Sequence, residues 1–221
     1  MKTTLLTILG GLALVAVIGG ILFGSAGRWD LPLFWAYLGV WAAALVAGGI
    51  VCDPTLAKER LRPGPGGKDY LSIFVVTPIW LGLHVVAGLD VGRFHWSDGV
   101  PLPLQVVALA VIAAAWAVTV WALAVNRFFS SVVRIQSDRG HHVITGGPYR
   151  FVRHPAYACV PFLFIGGGLV LGSWLTALFS LLTLPWFLRR TAQEDRTLRE
   201  QLEGYAAYAQ TVRYRLFPGV W

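Results

Sequence analysis

Residues 156–188 read AYACVPFLFIGGGLVLGSWLTALFSLLTLPWFL, without one charged side chain. A helix needs roughly 20 residues to cross a hydrocarbon core about 30 Å thick. The block exceeds one crossing and is interrupted by Leu171-Gly172-Ser173-Trp174. Each arm alone is short. The reading is a tight helical hairpin of two tilted or slightly short spans. One long tilted helix fits less well, because Gly166-Gly167-Gly168 and Gly172 weaken helix continuity. The same glycines permit close helix contact.

Four more apolar stretches precede the hairpin: Leu5–Phe23, Leu31–Cys52, Tyr70–Leu89 and Leu102–Val125. The second and fourth carry no charge, and each is long enough to span. The first follows Met1-Lys2 and ends near Gly24-Ser25-Ala26, as a cleaved leader would. It is longer than a leader core of roughly 7–15 residues and reads as the first span. Over 221 residues, 56% are hydrophobic and 13% charged, against about 25% charged in soluble domains. The expected fold class is all-α: a polytopic helical membrane protein of about six spans, including the hairpin, plus a C-terminal amphipathic helix. A re-entrant hairpin on four spans is the alternative count. The organisation expected is a four-span region, 1–125, then a connector, hairpin and tail, 126–221.

The net charge of +7 is unevenly placed. Lys58, Arg60, Arg62 and Lys68 lie between spans two and three. Arg127, Arg134, Arg139, Arg150 and Arg153 follow span four, and Arg189 and Arg190 follow the hairpin. The other loops hold only Arg28 and Arg93. The positive-inside rule puts both termini and these basic segments in the cytoplasm. Membrane lipids account for the basic charge; no nucleic-acid module is present. Cys52 and Cys159 form no CxxC pair, no metal is expected, and both read as packing residues. His84, inside span three, reads as a packed, hydrogen-bonded histidine.

From Arg189 to Arg213, Leu198, Leu202, Tyr205, Ala209 and Val212 recur at helical spacing, predicting one amphipathic helix. Glu194 precedes Leu198 by four residues and so falls on its apolar face; Asp195 lies at the edge. Acids turned toward a membrane core need a partner or a function. Arg153 is one candidate partner. Local pairs, Glu194 with Arg190 and Asp195 with Arg199, are the other. The hairpin returns these acids to the segment Gly146–Tyr157. There Pro155 suits a first helical position, and the helix start favours an anion. Arg153 offers a planar fork for a carboxylate. His154 donates or accepts, and Tyr149 and Tyr157 offer rings to a cation. An interfacial belt of Arg and Tyr that anchors the helix is the plainer alternative. Cation binders, anion binders and a helix start at one place suit a zwitterion with an added positive centre, such as S-adenosyl-L-methionine.

Several elements resemble the isoprenylcysteine carboxyl methyltransferases and the related phospholipid methyltransferases. They are Gly147-Pro148-Tyr149, Arg153-His154-Pro155-Ala156-Tyr157, the acidic pair, Gly204-Tyr205, Tyr208, Arg213-Tyr214 and Pro218. The resemblance runs from about Asn126 to the end. It implies a membrane methyltransferase with S-adenosyl-L-methionine bound near the cytoplasmic face. It assigns His154, Pro155, Tyr157, Glu194 and Asp195 to the cofactor, with Gln136, His142 and Tyr149 lining the same pocket. Two positions depart from the pattern: Glu-Asp stands where Glu-Glu is usual, and Cys159 where glycine is frequent.

Methyl transfer depends on positioning and exclusion of water. The expected catalytic residues are Arg153, which orients an acidic substrate group or the cofactor carboxylate, and Glu194. For an amine or thiol acceptor, Glu194 or His154 assists proton removal. The acceptor is an apolar or lipid-like molecule that arrives sideways from the bilayer. Three other readings are a membrane reductase using a nicotinamide cofactor, a transporter and a non-enzymatic scaffold. The nearly uncharged spans argue against a transport pathway.

Overall fold

The computed structural model describes residues 2–64 and 76–221. Among these residues the chain forms helices and turns and no strand. The helices are α1 (Lys2–Ala26), α2 (Pro32–Val51), α3 (Pro54–Leu61), α4 (Thr77–Leu89), α5 (Leu102–Val125), α6 (Pro155–Val170), α7 (Trp174–Ser180), α8 (Leu184–Gln201) and α9 (Tyr205–Thr211). The architecture is that of a polytopic helical membrane protein.

Among the described residues, three helices are long and apolar enough to cross a membrane: Thr3–Ala26, Pro32–Val51 and Leu102–Val125. Against the six spans expected, the remaining apolar segments among the described residues form shorter helices. The described part of span three is α4, with 13 residues, extended by a π-helical turn at Asp90–Phe94. Its expected beginning at Tyr70 lies outside the described residues.

The hairpin turns at Gly172, within the interruption at 171–174. α6 ends at Val170 and α7 begins at Trp174, with Gly172 in the left-handed region at φ 83°. Ser173 caps α7 by accepting from the Thr176 N–H at 3.1 Å. Gly168 allows the arms to touch, since a Cβ there would lie 2.3 Å from the Ala177 nitrogen. The second arm tightens to a 3₁₀ turn at Leu181–Thr183 before α8. Pro185 explains the break: it has no N–H to return to the preceding turn.

The far end of the hairpin is pinned by a buried carboxylate. Asp90 accepts from the Ser97 N–H at 2.7 Å and from the hydroxyls of Ser97 and Ser173, each at 2.5 Å. These bonds join the end of α4 to the α6–α7 turn. The core above it gathers Ile18, Leu22, Phe34, Ile112 and Val170 from α1, α2, α5 and α6. His84 lies in this region as a satisfied core histidine. Its Nδ1 donates to the Trp80 carbonyl at 2.8 Å, so its Nε2 accepts from the Tyr37 hydroxyl at 3.0 Å. Cys52 and Cys159 are both buried and free.

The tail differs from the single amphipathic helix expected over 189–213. α8 stops at Gln201, Gly204 takes φ 80°, and α9 restarts at Tyr205. The left-handed glycine folds α9 back, and the expected apolar set still meets: Leu202, Tyr205, Ala209 and Val212 form one cluster beside Leu198.

Gly168→Ala is expected to lower the thermal midpoint of the detergent-solubilised protein by several degrees, because overpacking costs roughly 1–3 kcal/mol. Gly20→Ala, where a Cβ meets nothing within 4 Å, should leave it unchanged or raise it, since Ala gains up to about 1 kcal/mol in a helix. Equal shifts in both variants would contradict the close hairpin contact.

Candidate active site

The hairpin brings the two predicted segments together at its open end. Arg153 is 3% exposed and Asp195 fully buried. Arg153 Nε donates to Asp195 Oδ1 at 2.7 Å and Nη2 to Oδ2 at 3.1 Å, a bidentate pair. Its Nη1 donates to the carbonyls of Val212 and Arg213, both at 2.7 Å. The backbone repeats the tie: Arg153 N–H bonds Tyr214 O at 3.0 Å and His154 N–H bonds Arg215 O at 2.9 Å. The chain's last residues are thus stitched to the start of α6.

Asp195 gathers more donors: Arg215 Nε at 2.9 Å, Arg199 Nε at 3.0 Å and the Tyr205 hydroxyl at 3.1 Å. His154 Nε2 lies 3.5 Å away. Burial alone would raise the Asp195 carboxyl. The groups arrayed on it, His154, Arg153 and Arg215, outweigh burial and hold it well below the usual carboxylate range.

Beside this knot lies a cavity of about 680 Å³. Its wall includes Tyr149, His154, Pro155, Tyr157 and Glu194, together with Gln136 and His142 from the connector. Asp195 is not on the wall, in contrast to its expected place among the cofactor residues. Its carboxylate faces the arginines because it lies one residue, about 100°, around α8 from Glu194. Arg153 reaches the wall, but its guanidinium is engaged by Asp195 and two carbonyls. Its fork thus ties Asp195 to the carbonyls of Val212 and Arg213.

Around the cavity the side chains form an ordered chain of donors. Arg190 Nε donates to the Tyr157 hydroxyl at 2.7 Å, which donates to Glu194 Oε2 at 2.8 Å. The Glu194 side chain is 29% exposed, so part of its carboxylate faces the cavity. His154 is buried, and its Nε2 has no hydrogen-bond partner. The Tyr149 hydroxyl accepts from Asn126 Nδ2 at 2.9 Å. Burial raises its phenol above the ordinary value, so it stays protonated at neutral pH.

Gln136 is buried and bonded through both ends of its amide, to Phe128 O at 2.8 Å and to Arg139. It shapes the connector more than it offers free atoms. The His142 Nδ1 donates to Gly140 O at 3.0 Å. Cys159 does not line the cavity and packs toward Thr119 on α5. The departure from glycine there leaves the wall unaffected.

Sequence reasoning missed His141, Asn126 and Arg60, all on the wall. His141 Nδ1 accepts from the Gln136 N–H at 3.2 Å, and burial with nearby His142, Arg139 and Arg134 pushes it down to about 4. It is neutral at pH 7. The sequence marks Arg190 only as a helical neighbour of Glu194. Its second contact, with Tyr157, needed the hairpin's geometry.

Asp195→Asn is expected to destabilise the protein by about 3–5 kcal/mol, since it leaves Arg153 buried without its charge partner. Glu194→Gln, nearer solvent, should cost far less. The linkage has a definite sign. A depressed carboxyl contributes stability above its unfolded value near pH 3.9, and that contribution is lost as pH falls through the lower folded value. Wild type should therefore lose stability steeply below about pH 4, and Asp195→Asn less so. Chemical unfolding followed by tryptophan fluorescence at several pH values checks both.

Residues 106–200 match the isoprenylcysteine carboxyl methyltransferase (ICMT) family. A protein of Oryza sativa subsp. indica described as a probable protein-S-isoprenylcysteine O-methyltransferase is 35% identical over 89 residues, covering 39% of this chain and 47% of that protein. The protein-S-isoprenylcysteine O-methyltransferase of Schizosaccharomyces pombe is 34% identical over 71 residues, covering 32% of this chain and 30% of its own length. The matches thus span less than half the length of these curated relatives. A solved structure of the eukaryotic intramembrane Ras methyltransferase ICMT aligns over 89% of this chain and 72% of its own, with 16% identity and a TM-score of 0.43. The match to the isoprenylcysteine carboxyl methyltransferase family is thus one of residues 106–200, under half of the 221-residue chain.

Proposed function

We propose that the chain is an S-adenosyl-L-methionine-dependent methyltransferase acting on a membrane-partitioned acceptor, of which an isoprenylcysteine-type carboxylate is the leading class. The observation that carries this reading is the cavity where His154, Tyr157 and Glu194 converge at the first turn of α6. Its volume falls within the roughly 300–1,000 Å³ of small-molecule sites.

The residues present fit the cofactor. His154 lines the cavity, with Nε2 3.5 Å from Asp195 and Nδ1 4.0 Å from Glu194 Oε1, so its ring is held between the buried acid and the cavity-facing one. Glu194 turns a partly exposed carboxylate toward the cavity beside the Tyr157 ring, suited to a positive group. Pro155 and Ala156 open the start of α6 onto the same space, suited to a carboxylate. S-adenosyl-L-methionine would supply a methyl group on a sulfonium centre.

This chain's residues bind, orient and exclude water. Tyr157, held between Arg190 and Glu194, fixes the direction of the Glu194 carboxylate. Arg153 acts as a positioning residue through Asp195. A carboxylate acceptor needs no proton removed; for an amine or thiol, Glu194 is the base within reach of the cavity. The acceptor reaches the site between the starts of α4 and α8, where Thr77, Trp186 and Phe187 line the wall.

The cavity end and both termini face the cytoplasm in this reading. The support is charge. Arg60, Arg134, Arg153 and Arg190 gather at the cavity, while Arg28, Asp30, Asp90, Arg93 and Asp98 lie in or beside the turns at the other end.

Transfer of a labelled methyl group from S-adenosyl-L-methionine to N-acetyl-S-farnesyl-L-cysteine tests the function. Wild type in detergent should label the acceptor. Glu194→Gln and Tyr157→Phe should each lower kcat/KM about tenfold or more, with weaker cofactor binding. No labelling of this acceptor or of a lipid extract would refute it, and unchanged cofactor affinity in both variants would refute the site.

A further inference from the structure

We infer that Arg60, on α3 and outside the region shared with the methyltransferase family, recognises the acidic head of the acceptor. The inference rests on the cavity being the methyl-transfer site. It concerns which group holds the acceptor, not whether methyl transfer occurs.

Four arginines reach the cavity wall: Arg60, Arg134, Arg153 and Arg190. Arg153 is held by Asp195 and two carbonyls. Arg134 lies between two acids, with Nη2 2.8 Å from Glu59 Oε2 and Nη1 2.8 Å from Asp138 Oδ1. Arg190 is bonded to the Tyr157 hydroxyl and the Ser131 carbonyl. Arg60 differs from these three. Its guanidinium carbon lies 5.4 Å from the centre of the Phe129 ring, and it has no carboxylate partner among the described residues. A ring contact orients the planar fork and leaves its edge free to bond a carboxylate.

The helix under Arg60 is fixed in advance. Asp53 caps α3, accepting from the N–H groups of Thr55 at 2.7 Å and Leu56 at 3.2 Å. Leu56 is fully buried. Glu59, next to Arg60, is tied to the connector by the buried Arg134 pair, whose side chains are 4% and 7% exposed. A fixed backbone beside an arginine that has no carboxylate partner among the described residues makes a preorganised anion site. Lys58 and Arg62, the other described cations of this segment, do not line the cavity. A purely topological role would not distinguish the three.

The acceptor is thus an apolar chain carrying a carboxylate, the tail toward Thr77, Trp186 and Phe187 and the head toward Arg60. The test compares binding of N-acetyl-S-farnesyl-L-cysteine with that of its methyl ester, using the full chain in detergent micelles. Wild type should bind the acid about tenfold or more tightly than the ester. Arg60→Gln should reduce that ratio to about threefold or less, mainly by weakening the acid, and Arg60→Lys should restore part of it. Lys58→Gln and Arg62→Gln should keep the wild-type ratio. An equal acid-to-ester ratio in wild type and Arg60→Gln overturns the inference, as does failure of wild type to bind either probe. Equal weakening of both probes also overturns it, since that marks a structural role. If the ratio falls in Arg60→Gln while no methyl is transferred by wild type, Arg60 is an acid-binding residue of this cavity, but the methyltransferase reading, and with it the role of Arg60 toward a methyl acceptor, falls.

Discussion

The pairing of Arg153 with Asp195 is the constraint on which the rest of the site depends. Neither charge is tolerable alone at that depth, because an unpaired buried ion costs several kcal/mol. Together they set the spacing between α6 and α8. The same guanidinium holds the carbonyls of Val212 and Arg213, so the chain's last segment closes over the pair. Tyr205 and Tyr208 complete the closure, the first on Asp195 and the second on the Tyr149 carbonyl at 2.6 Å. The cavity lies beside this knot, at the hairpin's open end.

At its other end the hairpin is held by a different device. Asp90 takes three neutral donors from two serines, and Gly168 lets α6 and α7 approach to backbone contact. One end is fixed by close packing and an acid among hydroxyls, the other by a charge cluster beside open space. The asymmetry places the cavity and the polar groups that line it at one end of the hairpin. Glu194 and Asp195 are neighbours in sequence, yet one lines the cavity and the other lies beneath it. One step around α8 separates a cavity-facing acid from one bonded to arginines.

Much of this was legible in the sequence. The uncharged block 156–188, the turn at Gly172 and the helix start at Pro155 follow from composition and backbone chemistry. The convergence of Arg153, His154, Tyr157 and Glu194 followed from the hairpin's need to return. The different duties of Arg153 and Asp195 were not legible, because they depend on the final ten residues folding back over α6. Nor was the break at Gly204, since the apolar repeat continues across it and only the left-handed φ reveals the bend. Arg60 was hidden for a third reason: its value comes from what Arg134, Arg153 and Arg190 are bonded to, and no spacing encodes that.

Hydrogen–deuterium exchange of the full chain in detergent, with and without S-adenosyl-L-methionine, tests the central claim most directly. The account expects slower exchange at 149–157 and 190–197 when the cofactor is present, and no change at 26–31 or 90–98 at the opposite end. Protection confined to the opposite end, or none at either segment at saturating cofactor, would contradict it.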